Sequence, residues 1–203
     1  MSTITEVRPE RRRKPQAVRT AALAVARRLL IAGGPGAITL KAIGAELGMS
    51  HANLIHHFGS AEALRGQLRD LMLRDLTNNT TTLLEQSGPA SLALIVDTVF
   101  ETYAEGGIGM LMAWAATGAA RGATDETAGA LRELLAALGR LLDGPDAARR
   151  ARDMVSLVTL MAFADSLIGK ALAETIGGEP AAMRALTTRL LASMALPRAS
   201  PQT

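Results

Sequence analysis

Cysteine is absent from this 203-residue chain, which excludes disulfides and thiolate metal sites. Aromatic residues make up only 2% of it, with one Trp, one Tyr and three Phe, so Leu, Ala, Val, Ile and Met must fill any core. Long apolar runs are missing too. The longest apolar-rich stretch, VSLVTLMAFADSLIG, contains Asp165 and falls short of the roughly 20 residues a membrane span needs. The opening stretch, MSTITEVRPERRRKPQ, is polar and has no apolar run behind it. No secretory signal is therefore expected, and the chain reads as a soluble cytoplasmic protein with no membrane partner.

What remains is a globular balance of 48% hydrophobic and 20% charged residues, enough for one large domain or two small ones. Its charge is unevenly placed. Residues 1–60 carry nine Lys/Arg against three Asp/Glu, whereas residues 61–203 carry 13 against 16. A basic first third on an acidic remainder points to a polyanion-binding end and a separate second module. A basic tail with no partner is the plainer alternative.

Turn signals cut the chain at GGPG (33–36), SGP (87–89), GG (106–107), GP (144–145), GGEP (177–180) and Pro197. Between these breaks the apolar spacing is helical, and no segment alternates as a strand does. The expectation is all-α, with about nine helices over 15–32, 39–46, 50–57, 60–86, 90–105, 108–120, 124–143, 145–176 and 180–196. Residues 1–14 form a basic arm, 15–59 a three-helix helix-turn-helix domain, and 60–203 a larger helical domain.

All three histidines fall within GMSHANLIHHF, residues 48–58. Thr39 is a plausible N-cap for one short helix and Ser50 for the next, with Gly48 supplying the tight turn between them. That pattern is a helix-turn-helix. Ile43, Leu47, Leu54 and Phe58 are expected to face the core, which leaves His51, Ala52, Asn53, Ile55, His56 and His57 on or near the outer surface. A metal site is one alternative, but no two of the histidines are four apart and no carboxylate lies among them. Catalysis by histidine is another, needing a nucleophile and an orienting carboxylate from distant segments. DNA reading fits the residue types directly. Asn53 can pair in bidentate fashion with adenine, and histidine can donate to a base edge or a phosphate.

Residues 38–64, ITLKAIGAELGMSHANLIHHFGSAEAL, resemble the DNA-binding motif of TetR-family transcriptional regulators. The matching elements are Thr39 before Ile43-Gly44, Gly48-Met49-Ser50 at the turn, Leu54, His57-Phe58, and Ser60 to Leu64 opening the next helix. Two positions depart from the pattern. Ile55 stands where the family often has Tyr, and Ala61 where it often has Lys, so two phosphate contacts are lost. The arm residues Arg11, Arg12, Arg13 and Lys14 could replace them along the backbone or in the minor groove, or could form a solvated tail. The expected DNA contacts are this arm, Thr39 and Lys41 on phosphates, His51, Ala52 and Asn53 toward bases, and Ser50, His56 and His57, the last at the family's phosphate-facing position.

A palindromic operator read by two such units needs a homodimer. Met154, Leu157, Met161, Ile168 and Leu172 line one side of helix 145–176, and Met183, Leu186, Leu190 and Met194 line helix 180–196. Two helices from each chain could form a four-helix bundle, the arrangement the resemblance implies; the same stripes could instead cover each chain's own core. The resemblance further implies a small-molecule effector held by the middle helices. Its expected lining is Phe100, Tyr103, Met110, Trp114 and Met161, with Glu101 and Asp165 as polar partners, and the Leu- and Met-rich middle suggests an apolar molecule. No cofactor, metal or catalytic step is expected. The functional expectation is a ligand-released repressor. The alternatives are an activator of the same fold, or a helical small-molecule-binding module or enzyme with a basic N-terminus.

Overall fold

The structure, a computed structural model, describes residues 15–117 and 124–195. Among these residues it is all-helical, with nine helices and no strand. They are α1 (Pro15–Gly33), α2 (Leu40–Leu47), α3 (His51–Phe58), α4 (Ala61–Ser87), α5 (Leu92–Ala104), α6 (Ile108–Ala116), α7 (Asp125–Leu141), α8 (Ala147–Ile176) and α9 (Ala182–Ala195). Short 3-10 turns precede α2 and α5. The breaks read from Gly and Pro therefore fall close to the observed ends.

Local chemistry explains where the first helices start and stop. Pro15 opens α1, where a missing N–H costs nothing. Thr39 caps α2 by accepting from the Ala42 amide at 3.1 Å, and Ser50 caps α3 by accepting from the Asn53 amide at 3.2 Å. Gly48 ends α2 at φ 66°, left-handed backbone that a β-carbon would disfavour. Gly44 is required for a different reason. A Cβ there would lie 2.6 Å from the Met49 carbonyl oxygen, because the turn folds back close enough for the Met49 amide to donate to the Gly44 oxygen at 2.9 Å.

Behind this turn, Val25, Leu30, Ile43, Leu54, Phe58 and Leu64 are buried in one cluster, and Leu47 packs against it half-buried. α4 runs out of this domain into a second bundle. There it packs on α7, α7 packs on α8, and α8 packs on α5 and α9. The apolar core is continuous from α1 to α9.

α8 departs from the expectation in two ways. It is a single 30-residue helix that is long and apolar enough, by length and composition, to cross a membrane, so the shortness of its apolar run does not exclude a span. Its charges nonetheless fall at intervals along it: Arg149, Arg150, Arg152 and Asp153 near the start, then Asp165, Lys170 and Glu174. The helix also widens into a π turn over Asp165–Gly169, which periodicity does not reveal.

Candidate functional site

The first candidate surface is the outer face of α3. Leu54 and Phe58 anchor the helix in the core, one turn apart. That orientation leaves His51, Ala52, Asn53, Ile55 and His56 exposed and His57 half-buried. The rings of His56 and His57 meet edge to face, with centroids 5.7 Å apart. Arg19 of α1 donates to the His57 carbonyl at 3.3 Å, tying the end of α3 to α1. Thr39 and Lys41 are exposed at the start of α2, and Ser50 is exposed at the start of α3. Thr39, Lys41, Ser50 and His51 thus sit at the N-terminal ends of two short helices, where free amides and the positive end of the helix dipole also lie, and His56 and His57 sit in the last turn of α3. Arg11, Arg12, Arg13 and Lys14 lie outside the described residues. Among the described residues no group of three His, Asp or Glu side chains could hold a metal.

The second candidate is an apolar cavity of about 450 Å³ within the larger bundle. Its walls are Leu73, Leu76 and Leu84 of α4, Ile95 and Tyr103 of α5, and Leu134 and Leu138 of α7. Met154 and Val158 of α8 and Leu191 of α9 complete them. The volume is in the range of small-molecule sites. Among the described residues none that lines it is Asp, Glu, Lys, Arg or His. Burial pushes the Tyr103 phenol up to about 12, so its hydroxyl is a neutral donor over the physiological range.

Of the seven side chains expected to touch an effector, only Tyr103 lines this cavity. Phe100 is fully buried in the core and lies under the Arg184 guanidinium, 5.6 Å from its ring centroid. Glu101 sits 3.6 Å from Arg184, and Asp97 sits 3.5 Å from it. Asp165 is close enough to feel the same cation. Partial burial lifts its carboxyl above the usual range, and Arg184 pulls it back down. The structure thus gathers Phe100, Glu101 and Asp165 around Arg184 and away from the cavity. Met110 and Trp114 are exposed on α6, where Trp114 faces the Arg65 guanidinium at 5.4 Å. Met161 packs half-buried against the core.

The side chains expected at a dimer interface divide into three groups. Ile168, Leu172, Leu186 and Leu190 are exposed on α8 and α9. Leu157, Met161, Met183 and Met194 are half-buried against the chain's own core. Met154 is buried and faces the cavity, because the half of α8 before the π turn is wrapped by α5, α7 and α9. Among the described residues the most exposed large apolar side chains are Ile176 at 70% and Leu160 at 64%, both on α8.

Residues 22–68, which span α1 to the start of α4, match the family model described as bacterial regulatory proteins, tetR family. The chain carries a TetR-family N-terminal domain. The whole fold is also that of TetR-family transcriptional regulators. A regulator of this family from Pectobacterium atrosepticum superposes with a TM-score of 0.65 at 17% identity, over 89% of this chain and 93% of that one. One from Agrobacterium tumefaciens gives 0.59 at 18%, over 91% and 100%. Thermus thermophilus FadR, a TetR-family repressor in complex with lauroyl-CoA, gives 0.55 at 18%, over 91% and 98%. No curated protein sequence matches the chain.

Proposed function

We propose that this protein is a homodimeric transcriptional repressor that binds a palindromic operator and is released by a small molecule. The observation that carries the reading is the position of α4. One end of this helix is capped by Ser60 directly after the α3 helix, and its later turns supply Leu73, Leu76 and Leu84 to the cavity wall. A molecule filling the cavity pushes on the same rigid element that sets where α3 sits. Release then requires only that the ligand prefer the non-binding arrangement.

In this reading residues 15–59 form the DNA-reading domain and 60–203 the effector and dimerisation domain. Asn53 and His51 contact bases beside Ala52. Thr39, Lys41, Ser50, His56 and His57 serve the backbone, and the arm from Arg11 to Lys14 adds phosphate contacts. The exposed face of α8 and α9 is covered by the same face of a second chain. FadR is in complex with lauroyl-CoA, and in this reading the apolar cavity here serves as an effector chamber.

The test is fluorescence anisotropy on the DNA upstream of this protein's own gene, with random DNA as competitor. Specific binding by an even number of chains is expected. Asn53→Ala should cost about 1–3 kcal/mol on the operator and little on random DNA. Binding that random DNA removes entirely, or an Asn53→Ala variant that binds as the parent does, overturns the reading.

A further inference from the structure

We infer that the cavity takes an uncharged, mainly apolar molecule bearing one hydrogen-bond-accepting oxygen, anchored by the Tyr103 hydroxyl. The inference rests on the proposed effector role of that cavity and adds the chemical class of the ligand.

Six polar side chains lie among the described residues of the wall. Thr77 and Thr80 donate their hydroxyls to the carbonyls of Leu73 and Leu76, each at 2.8 Å, so neither proton is available. Thr127 is engaged with Thr124 at 3.1 Å and with the Asp70 carbonyl. Ser156 is exposed and Thr159 half-exposed beside Leu160, which places them at the rim. Tyr103 remains. Its residue is 2% exposed, and among the described residues its hydroxyl has no hydrogen-bond partner. A donor on an apolar wall with no protein partner is left to water, and an acceptor on a bound molecule can take that water's place.

The same wall decides against charge. An ion moved into an apolar chamber must find a counter-charge there. No described lining residue carries one: Asp70, whose carbonyl meets Thr127 of the wall, is paired with Arg69, and Asp97, Glu101 and Asp165 are grouped about Arg184 outside the cavity. Discrimination between charged and neutral head groups is therefore built into the lining. Shape selection is weak by comparison, since Leu and Met side chains readily repack.

The probes are methyl decanoate, decanoate and decylamine, titrated calorimetrically into the full chain. They share one chain length and differ in head group. The ester is expected to bind, and both ions on the order of a hundredfold more weakly. Tyr103→Phe keeps the shape and removes the donor, so it should weaken the ester roughly tenfold and leave the ions unchanged. Decanoate binding as tightly as the ester overturns the inference. So does an ester affinity indifferent to Tyr103→Phe, or an ester that does not bind at all. Failure of the effector reading looks different: the ester binds with the expected Tyr103 dependence, yet operator affinity stays constant as the cavity fills.

Discussion

The Arg65 guanidinium donates to the main-chain oxygen of Ile38 at 2.8 Å, bridging two parts of the molecule that sequence separates by 27 residues. Ile38 is the residue just before the cap of α2, and Arg65 sits one turn into α4. The same guanidinium bonds Glu62 at 3.3 Å and lies over Trp114 of α6. One side chain thus joins the reading domain, the connecting helix and a helix of the larger bundle. α4 is therefore tied to the start of α2 by a short polar link as well as through the apolar core.

Arg65→Met is expected to keep the apolar stem and lose the link. The Ile38 oxygen loses a charge-assisted partner, so stability should fall by about 1–2 kcal/mol. Operator affinity should fall several-fold, because the start of α2 is then held less firmly against α4. Trp114 is the one tryptophan of the chain, so its fluorescence reports loss of the stacked guanidinium directly. An unchanged emission spectrum together with unchanged operator affinity would show that the link carries nothing.

Much of this architecture is legible in the sequence, for local reasons. Thr39, Ser50 and Gly48 act within three or four residues of themselves, and they cap and turn as their chemistry predicts. Leu54 and Phe58 are buried because a short helix has one inner face. The cavity is not legible in that way. Its walls come from six helices between Leu73 and Leu191, and which faces turn inward depends on how those helices pack. Tyr103 lines the cavity, but Phe100 and Trp114, expected beside it, lie elsewhere for physical reasons. Phe100 is needed as core volume, and Trp114 finds a cation on the surface. The π turn at Asp165–Gly169 leaves no periodic trace either, since one inserted residue shifts the pattern without breaking it.

Gly44 tests the close approach within the helix-turn-helix. Gly44→Ala places a methyl 2.6 Å from the Met49 oxygen, closer than a Cβ can sit, so the turn must open. A loss of about 1–3 kcal/mol is expected from such overpacking, together with weakened DNA binding. Gly36→Ala is the control, since nothing lies within 4 Å of a Cβ there. Equal melting temperatures for the two variants would contradict the geometry.

The exposed face of α8 and α9 predicts the oligomeric state. Ile168 is 58% exposed, and Leu172, Leu186 and Leu190 accompany it on the surface. In a four-helix bundle these side chains are buried between two copies. Ile168→Asp with Leu172→Asp would place four carboxylates in that interface, two from each chain. Sedimentation in detergent-free buffer is expected to change from dimer to monomer, with dissociation at least about a hundredfold easier. A parent chain that is monomeric without detergent, and self-associates only in its presence, would assign the face to lipid instead.

Tyr103 makes the cavity's dryness measurable, because it is the one tyrosine of the chain. Burial raises its phenol from 10.0 to about 12. The folded state therefore holds the phenolic proton more tightly than the unfolded state does. The stabilisation this implies is fully present below pH 10 and is lost as pH rises through about 12. Phenolate absorbance of the native chain at pH 11 should be only about a tenth of its final value. It should then rise with a midpoint near 12 or together with alkaline unfolding, whereas in denaturant the midpoint should sit near 10. Comparing the alkaline limb of the stability curve with that of Tyr103→Phe isolates the contribution, since the other titrating groups are common to both. A native midpoint near 10 would mean that water reaches the hydroxyl freely. The inner end of the cavity would then be wet, and the preference for an uncharged ligand would lose its physical basis.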